Sequence, residues 1–231
     1  MERMLTLPRR DLNATLGILG IFATAIFLTW LPISGLSLPL PRHPIDRTAV
    51  TGVWQFLMTI VVPYVWASRR LGMSPADLGI SHRNLGKSIL LGCALYSLAL
   101  IAFLYGRHDP LIQDHPIRHL PTDRMLLLGG TMCVIAAGTD IATRGFILLS
   151  LARHTGVPFA VLMQNVFWML GHTHEIQVLE SALGRVGANL LFLVLGLLGD
   201  SIALRTRNVL GLAIAHILLN IVMVTVIRHF L

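Results

Sequence analysis

A few polar side chains stand inside long apolar stretches of this 231-residue sequence. Asp140 and Arg144 are four residues apart, and His216 and Asn220 repeat that spacing further along the chain. On a helix, this spacing places both members of a pair on one face. His172 ends another apolar stretch. Because ionisable groups within a membrane usually face a cavity or a partner, this carboxylate and these imidazoles are candidates for activating water or holding a metal ion.

The helical rise predicts that these residues meet. At about 1.5 Å per residue, Asp140 lies roughly 20 Å and His172 about 21 Å from the same side of the membrane. By the same measure, His216 and Asn220 lie roughly 12 and 18 Å deep. Three helices therefore bring polar side chains to a comparable depth, and this predicts one site that opens toward one side.

Seven stretches are apolar enough to be interpreted as transmembrane helices, which need roughly 20 mainly apolar residues. They are residues 12–34, 52–68, 88–105, 125–151, 158–172, 186–204 and 209–227. The three prolines in residues 36–47 disfavour helix there. Ser74 and Pro75 predict a short interfacial helix with a serine cap. The predicted fold class is all-α, a polytopic transmembrane bundle of about seven helices plus an interfacial helix, in one integral membrane domain over residues 1–231.

The composition excludes most soluble classes. Apolar residues make up 55% of the chain and charged residues 13%, against about a quarter in soluble domains. The net charge of +7 comes from Lys and Arg in the connections, so membrane lipid is expected as a partner and nucleic acid is not. With the N-terminus inside, 11 of the 18 Lys and Arg residues fall on the inner side and 7 on the outer side. This bias predicts a cytoplasmic N-terminus, in a bacterial cytoplasmic membrane.

Three short motifs resemble those of the CPBP family of intramembrane proteases, which includes the CAAX prenyl endopeptidases and lysostaphin-resistance-type proteins. The family pattern is Glu-Glu-x-x-x-Arg, then an aromatic residue followed four positions later by His, then His-x-x-x-Asn/Asp. Arg144 matches the end of the first motif, Trp168 and His172 match the second, and His216 and Asn220 match the third. The resemblance implies a CPBP-like core over roughly residues 125–226.

This core departs from the family at its first motif. Thr139 and Asp140 stand where the family has two glutamates, the first of which is thought to activate water together with the second motif's histidine. A threonine hydroxyl is not a general base near neutral pH. Asp140 is rotated by about 100° relative to the first glutamate position, so it would act from a rotated helix or through a water.

The resemblance also implies a role for each of the remaining residues. His172 would activate water with Asp140 (or with water positioned by Thr139), and His216 and Asn220 would donate hydrogen bonds to the oxyanion. Arg144 would hold Asp140 charged and oriented. The predicted catalytic residues are therefore Asp140, His172, His216 and Asn220, with Arg144 as support and Thr139 as a further candidate.

Other interpretations of the charged residues stay open. Asp140 and Arg144 can equally form a structural ion pair that neutralises two groups intolerable singly in lipid. Asp200 has no counterpart in the family motifs, and we expect it to act as a cap or to pair with Arg205 on the neighbouring turn.

The cofactor is also open between a divalent metal and none, with none favoured. His172 and His216 are the candidates for metal ligands. His172, His174 and Glu175 form a further trio, but alternate residues on a helix point about 200° apart, so one ion could bind both histidines only where the helix has ended.

Two functions fit these features. The first is an intramembrane endopeptidase of the CPBP type, acting on a membrane-borne or lipidated peptide. The second is a non-catalytic relative, a scaffold or accessory subunit that binds another membrane protein, a lipid or a pigment. A small transporter is a weaker third, because the sequence shows no internal repeat.

Overall fold

The computed structural model of the chain describes residues 11–34, 41, 43–106 and 116–230, and within these residues it is almost entirely helical, with no strand. The α-helices are α1 (Leu12–Ser34), α2 (Pro44–Phe56), α3 (Val62–Leu71), α4 (Leu85–Tyr105), α5 (Thr122–Asp140), α6 (Ser150–His154), α7 (Val157–Gly171), α8 (Thr173–Thr206) and α9 (Leu210–Phe230). Two π-helices, Leu57–Val61 and Ile141–Leu149, and two 3-10 helices, Pro75–Leu78 and Pro116–Arg118, complete the described elements. The predicted all-α class is confirmed. The basic N-terminal residues that entered the prediction of orientation, Arg3, Arg9 and Arg10, lie outside the described residues.

Six stretches of the described residues are long and apolar enough to cross a membrane. They are Leu12–Thr29, Pro44–Leu71, Leu85–Tyr105, Thr122–His154, Thr173–Thr206 and Leu210–His229. Together with the shorter apolar helix α7, they confirm the predicted polytopic helical bundle. Helix α7 has 15 residues, and at about 1.5 Å per residue it falls short of a hydrocarbon core of roughly 30 Å. The chain is an integral membrane protein whose site includes one short helix.

The second span begins earlier than predicted. Prolines were expected to disfavour helix up to residue 47, yet Pro44 is the first residue of α2. The fixed φ of proline suits the first turn of a helix, and His43 Nδ1 accepts a hydrogen bond from the backbone N–H of Ile45 at 3.3 Å. The helix then continues through the π-helix into α3 without a break.

The short helix predicted at Ser74 is present as the 3-10 helix Pro75–Leu78. Ser74 caps it, and the Asp77 carboxylate in turn accepts hydrogen bonds from the backbone N–H of Ser74 at 2.8 Å and from its hydroxyl at 2.7 Å. This reciprocal arrangement is a capping box, and it fixes the connection between α3 and α4.

Helix α9 packs against both α4 and α5, and small residues allow the α4 contact to be close. A Cβ added to Gly92 of α4 would lie 2.8 Å from the Cβ of Ala215, and one added to Gly211 of α9 would lie 2.5 Å from the Cβ of Ser88. Asn208 caps α9, because its Oδ1 accepts a hydrogen bond from the backbone N–H of Gly211 at 2.7 Å. The first turns of α9 are thereby held against the first half of α4.

Two departures from helical geometry shape the region between α7 and α8. His172 caps α7 with φ −111° and ψ 20°, so the helix has ended at this residue. Gly184, with φ 70° and ψ 159°, breaks α8 near its start. The segment between them packs Ile176 and Leu179 against Ala188 and Phe192 in a small hydrophobic cluster of its own. The helical path is therefore interrupted at His172 and again at Gly184.

Candidate functional site

The charged residues of the first motif meet at the junction of α5 with the π-helix Ile141–Leu149. Asp140 is the last residue of α5 and Arg144 lies in the π-helix, and both side chains are completely buried. Arg144 Nη1 donates a hydrogen bond to Asp140 Oδ1. Because the guanidinium contacts the carboxylate directly in a region without solvent, Asp140 is stabilised in its ionised form.

The second oxygen of Asp140 joins two further helices to this pair. Tyr96 of α4 donates its phenolic hydrogen to Asp140 Oδ2 at 2.7 Å. The Nδ1 of His216, on α9, lies 3.0 Å from the same oxygen. An ionised carboxylate carries no hydrogen, so Nδ1 is the donor of this bond. Both oxygens of Asp140 are therefore occupied, and one of its partners is a histidine of the third motif.

Arg144 also contacts a second carboxylate and an aromatic ring. Its Nε lies 3.5 Å from Asp200 Oδ1, and its Cζ lies 4.1 Å from the centre of the Trp168 ring, a cation–π arrangement. Asp200 Oδ2 accepts a hydrogen bond from Asn165 Nδ2 at 2.7 Å. We refer to Asp140, Arg144 and Asp200 as the buried ion cluster.

The partner predicted for Asp200 is wrong. Asp200 is only 1% exposed and faces Arg144, whereas Arg205 is exposed. Five residues along a helix correspond to a rotation of about 140°, so the two side chains point to different sides of α8. Gly199 makes the observed contact possible, because an added Cβ would overlap the Arg144 guanidinium.

A cavity of about 200 Å³ adjoins the buried ion cluster. Its polar lining includes His172, His216 and Asn220, which come from the end of α7 and from α9. The rest of the lining is mainly apolar or aromatic: Ala99, Phe103, Met132, Trp168, Val178, Leu179, Phe192, Leu195, Leu219, Met223 and Ile227. The cavity therefore offers a few polar groups at one place in an apolar chamber, as ligand sites commonly do.

His172 is held by its own helix. Its Nδ1 lies 2.8 Å from the carbonyl oxygen of Trp168, and the two rings are 3.8 Å apart between centres. A carbonyl oxygen only accepts, so Nδ1 carries the hydrogen and Nε2 of the neutral ring is left with a lone pair. His172 thus has a basic Nε2, while its Nδ1 is bonded to a neutral carbonyl oxygen rather than to a carboxylate.

Asn220 lies one helical turn beyond His216. Its Nδ2 donates to the carbonyl oxygen of His216 at 3.1 Å, and since an amide nitrogen has two hydrogens, one remains for another acceptor. The His216 side chain is 11% exposed, and its ring stacks on Tyr96 with 4.5 Å between the centres. The third motif therefore faces the cavity, as its helical spacing predicted.

The first motif does not face the cavity. Neither Thr139 nor Asp140 is among the described residues that line it. The hydroxyl of Thr139 donates to the carbonyl oxygen of Ile135 at 2.9 Å, within its own helix, and Asp140 lies behind His216. The roles predicted for these two residues in activating water stay predictions, and Asp140 is linked to the cavity through His216 and Tyr96, which both line it.

The cavity has another carboxylate in its wall. Glu175 is the one acidic residue among the described residues of the lining, and His174 lies beside it. The turn at His172 meets the condition that the helix must end before His172, His174 and Glu175 can share an ion. Nevertheless, among the described residues no group of three His, Cys, Asp or Glu side chains is arranged to hold a metal. Metal binding by His172 and His216 stays a prediction.

Sequence reasoning missed several residues of this site. Tyr96 was not considered, because a tyrosine in an apolar helix has no spacing partner that would mark it. Asn165 and Gly199 were missed because they too have no spacing partner that would mark them. Trp168 was noted only as a motif residue, although it contacts both Arg144 and His172. The signal available was that Tyr96 and Asn165 are polar groups at membrane depth, and such groups need partners.

The comparisons with known proteins agree with the motifs. Residues 121–222 match the family described as Rce1-like, type II CAAX prenyl endopeptidase Rce1-like. The CPBP resemblance is confirmed. The Rce1-like segment covers somewhat under half of the chain, from the start of α5 into α9, and it contains all three motifs but not Tyr96. No curated protein and no solved structure matches the chain.

Proposed function

We propose that this protein is a membrane-embedded endopeptidase that cleaves a membrane-borne or lipidated peptide. The observation that carries the proposal is that His172, His216 and Asn220, which match the second and third family motifs, line the same cavity. Two imidazoles and a carboxamide are the groups needed to move a proton and to stabilise an oxyanion. The description of the family as CAAX prenyl endopeptidases points to a peptide with a prenylated C-terminus.

The apolar lining supports this class of substrate. A lipid chain or an apolar peptide segment removes apolar surface from water when it enters such a chamber, at roughly 25 cal/mol per Å². The polar residues lie together on the wall formed by His172 and α9, so a bound chain would present its peptide group to them. The free energy of binding would come from the apolar part and the chemistry from the polar part.

A second candidate is a non-catalytic relative that binds such a group without cleaving it. The specific observation in its favour is the position of Thr139 and Asp140. The family's water-activating glutamate is replaced here, and neither substitute lines the cavity. In this case the buried ion cluster would serve only to pack the helices, and the cavity would hold a lipid, a pigment or a segment of another membrane protein.

Reconstitution in lipid vesicles separates the two. The probe is an internally quenched peptide that ends in a CAAX sequence with a farnesylated cysteine, and the same peptide without farnesyl is the comparison. Wild-type protein should cleave the farnesylated peptide, and His172→Gln and His216→Gln should each lose at least about 100-fold in rate. His229→Gln is the matched control, because His229 lies in the last turn of α9 and does not line the cavity.

Equal cleavage by wild type, His172→Gln and His216→Gln would refute the endopeptidase. Saturable binding of the farnesylated peptide with no product from any variant, followed by fluorescence anisotropy and mass spectrometry, would establish the non-catalytic candidate instead.

A further inference from the structure

Resting on the proposed endopeptidase, we infer that His216 is the general base of the reaction and that Asp140 is the residue that positions it. Resemblance assigned the activation of water to His172 and the oxyanion to His216. The geometry assigns the activation of water to His216 instead, because the buried carboxylate contacts the histidine of the third motif rather than that of the second.

The tautomer of His216 is the first observation in favour of its role as the base. Its Nδ1 donates to Asp140 Oδ2 at 3.0 Å, so the neutral ring has its lone pair on Nε2. The ring lines the cavity, and Nδ1 is engaged on the side of the buried ion cluster. A nitrogen with a lone pair accepts a proton from water but donates no hydrogen bond to an oxyanion. Neutral His216 is therefore suited to the role of base.

The charges around the two histidines also favour His216 as the base. An imidazolium formed on His216 would lie beside the Asp140 carboxylate, with Tyr96 and Arg144 as the other groups bonded to that carboxylate. On the cavity side, the titratable groups facing His216 are His172, His174 and Glu175.

His172 has no carboxylate in hydrogen-bond contact with its ring; Glu175 lies in the same cavity wall without such a bond. An imidazolium formed on it would have a neutral carbonyl and the Trp168 ring as its partners on the Nδ1 side. A carboxylate in a region of low dielectric constant stabilises a developing cation far more than a carbonyl does.

The bonds of the step balance without a metal or another reactant. Water attacks the peptide carbonyl carbon while one of its hydrogens passes to His216 Nε2, and the carbonyl electron pair moves to oxygen. The free hydrogen on Asn220 Nδ2 donates to this oxyanion. On collapse the C–N bond breaks, and the proton on His216 Nε2 goes to the departing amine, which leaves a carboxylic acid and an amine.

The first test determines the tautomer in the wild-type protein, and a substitution serves only to identify the signals. Wild-type protein with ¹⁵N-labelled histidine is placed in lipid vesicles, and the imidazole nitrogen shifts are recorded by solid-state NMR near neutral pH. The His216 signals are identified by their loss in His216→Gln. We expect hydrogen on Nδ1 and none on Nε2. A hydrogen on Nε2 of His216 would overturn the inference, and it would leave the endopeptidase standing if the wild type cleaves the farnesylated peptide.

The second test changes the tautomer. In Asp140→Asn, we expect the amide oxygen to keep accepting the hydrogen bond from Arg144, because Arg144 can only donate. The amide nitrogen then takes the place of Oδ2 and donates a hydrogen bond to His216 Nδ1. The ring hydrogen then moves to Nε2 and the base is lost. We expect cleavage of the farnesylated peptide to fall by about 10³- to 10⁴-fold, the size of the effect when a catalytic histidine is held in the wrong tautomer.

Two variants keep this test specific. Tyr96→Phe retains the carboxylate, so the Nδ1–H tautomer should persist and cleavage should fall by no more than about tenfold, the loss of one hydrogen bond to a charged group. Asp140→Glu should restore part of the activity lost in Asp140→Asn. Full activity in Asp140→Asn, or an Nε2–H tautomer in Tyr96→Phe, would refute the positioning role. If the wild type cleaves no probe, the proposed function fails, and the assignment of the base fails with it.

Discussion

The buried ion cluster and the cavity lie on opposite sides of the His216 ring, and they differ in almost every physical respect. In the cluster, two carboxylates and a guanidinium are at most 1% exposed and contact one another. In the cavity, the motif residues His172, His216 and Asn220 face a largely apolar space, and the wall also contains Tyr96, His174 and Glu175. His216 belongs to both, with Nδ1 bonded to Asp140 and its ring in the cavity wall.

The difference teaches that the charged residues of the first motif are kept apart from the space proposed for the substrate. A carboxylate buried among the apolar residues of the wall would oppose the entry of an apolar chain, whereas Glu175, the acid of the described lining, is exposed. Behind His216, the same charge is neutralised by Arg144 and can still act on the cavity through the imidazole. The change from glutamate to Thr139 at the first motif fits this arrangement, since it leaves no acid on α5 among the described residues of the cavity wall.

The largest effect is expected when the cluster loses its cation. Arg144→Met leaves Asp140 and Asp200 buried without a compensating charge, and the free energy of unfolding should fall by about 3–5 kcal/mol. Thermal unfolding in detergent micelles measures this loss. Arg153→Met is the matched control, because Arg153 pairs with Asp77 at 3.3 Å while 55% exposed, and such a pair contributes at most about 1 kcal/mol. Equal effects of the two substitutions would show that the cluster is not a structural centre.

On the cavity side, the expected loss is in rate rather than in stability. Asn220→Ala removes the hydrogen-bond donor proposed for the oxyanion, so cleavage of the farnesylated peptide should fall by about 10²- to 10³-fold. The free energy of unfolding should change by less than about 1 kcal/mol, because the substitution removes one side-chain hydrogen bond to a backbone carbonyl.

Asn189→Ala provides the control for this prediction. Asn189 Nδ2 donates to the carbonyl oxygen four residues earlier at 2.8 Å, as Asn220 Nδ2 does at 3.1 Å, but it does not line the cavity. A rate loss shared by both substitutions would contradict the role of Asn220 at the oxyanion.

The smallest effect is expected for a charge outside both regions. Hydrogen bonds from the backbone and hydroxyl of Ser74 lower the pKa of Asp77 below its ordinary value of 3.8. A lowered pKa in the folded state gives stability that is present above pH 3.8 and is lost as the pH falls through the folded value. Ser74→Ala should therefore cost about 1 kcal/mol near neutral pH, and the difference from wild type should shrink in acid.

Unfolding midpoints of wild type and Ser74→Ala across this acidic range check the prediction. Ser97→Ala is the control, because the Ser97 hydroxyl donates to the Cys93 carbonyl oxygen at 2.8 Å and contacts no acid. A difference between wild type and Ser74→Ala that grows in acid would show that Asp77 is not stabilised in its ionised form.

Much of the fold was predictable because a membrane imposes one dominant rule. Apolar stretches of about 20 residues become helices, and the predicted starts and ends of α1 and α4 agree with the structure to within a few residues. The helix at Ser74 followed from the local chemistry of its cap. The start of α2 was predicted wrongly, because Pro44 begins a helix that a rule based on composition excludes. The predicted stretch at α7 is an apolar helix, but with 15 residues it is shorter than that rule assumes for a span.

The candidate site was predictable only in part. Helical spacing and depth indicated correctly that His216 and Asp140 approach each other, because both quantities follow from the regular rise of a helix. They did not indicate which side of the His216 ring faces the cavity, or that the Tyr96 hydroxyl also bonds to Asp140. Asp200 was assigned to a neighbour on its own helix, since sequence alone shows local partners and hides those on other helices.

The amino-acid sequence by itself determined that this is a helical membrane protein and that three motifs carry its polar residues. Those properties depend on hydrophobicity and on periodicity within single helices. Only the tertiary structure decided that Asp140 lies behind His216 while His172 and Asn220 face the cavity with it. The physical reason is that such placement depends on how α4, α5, α7 and α9 are rotated against one another, and this rotation depends on contacts between different helices, such as those of the small residues of α4 with α9.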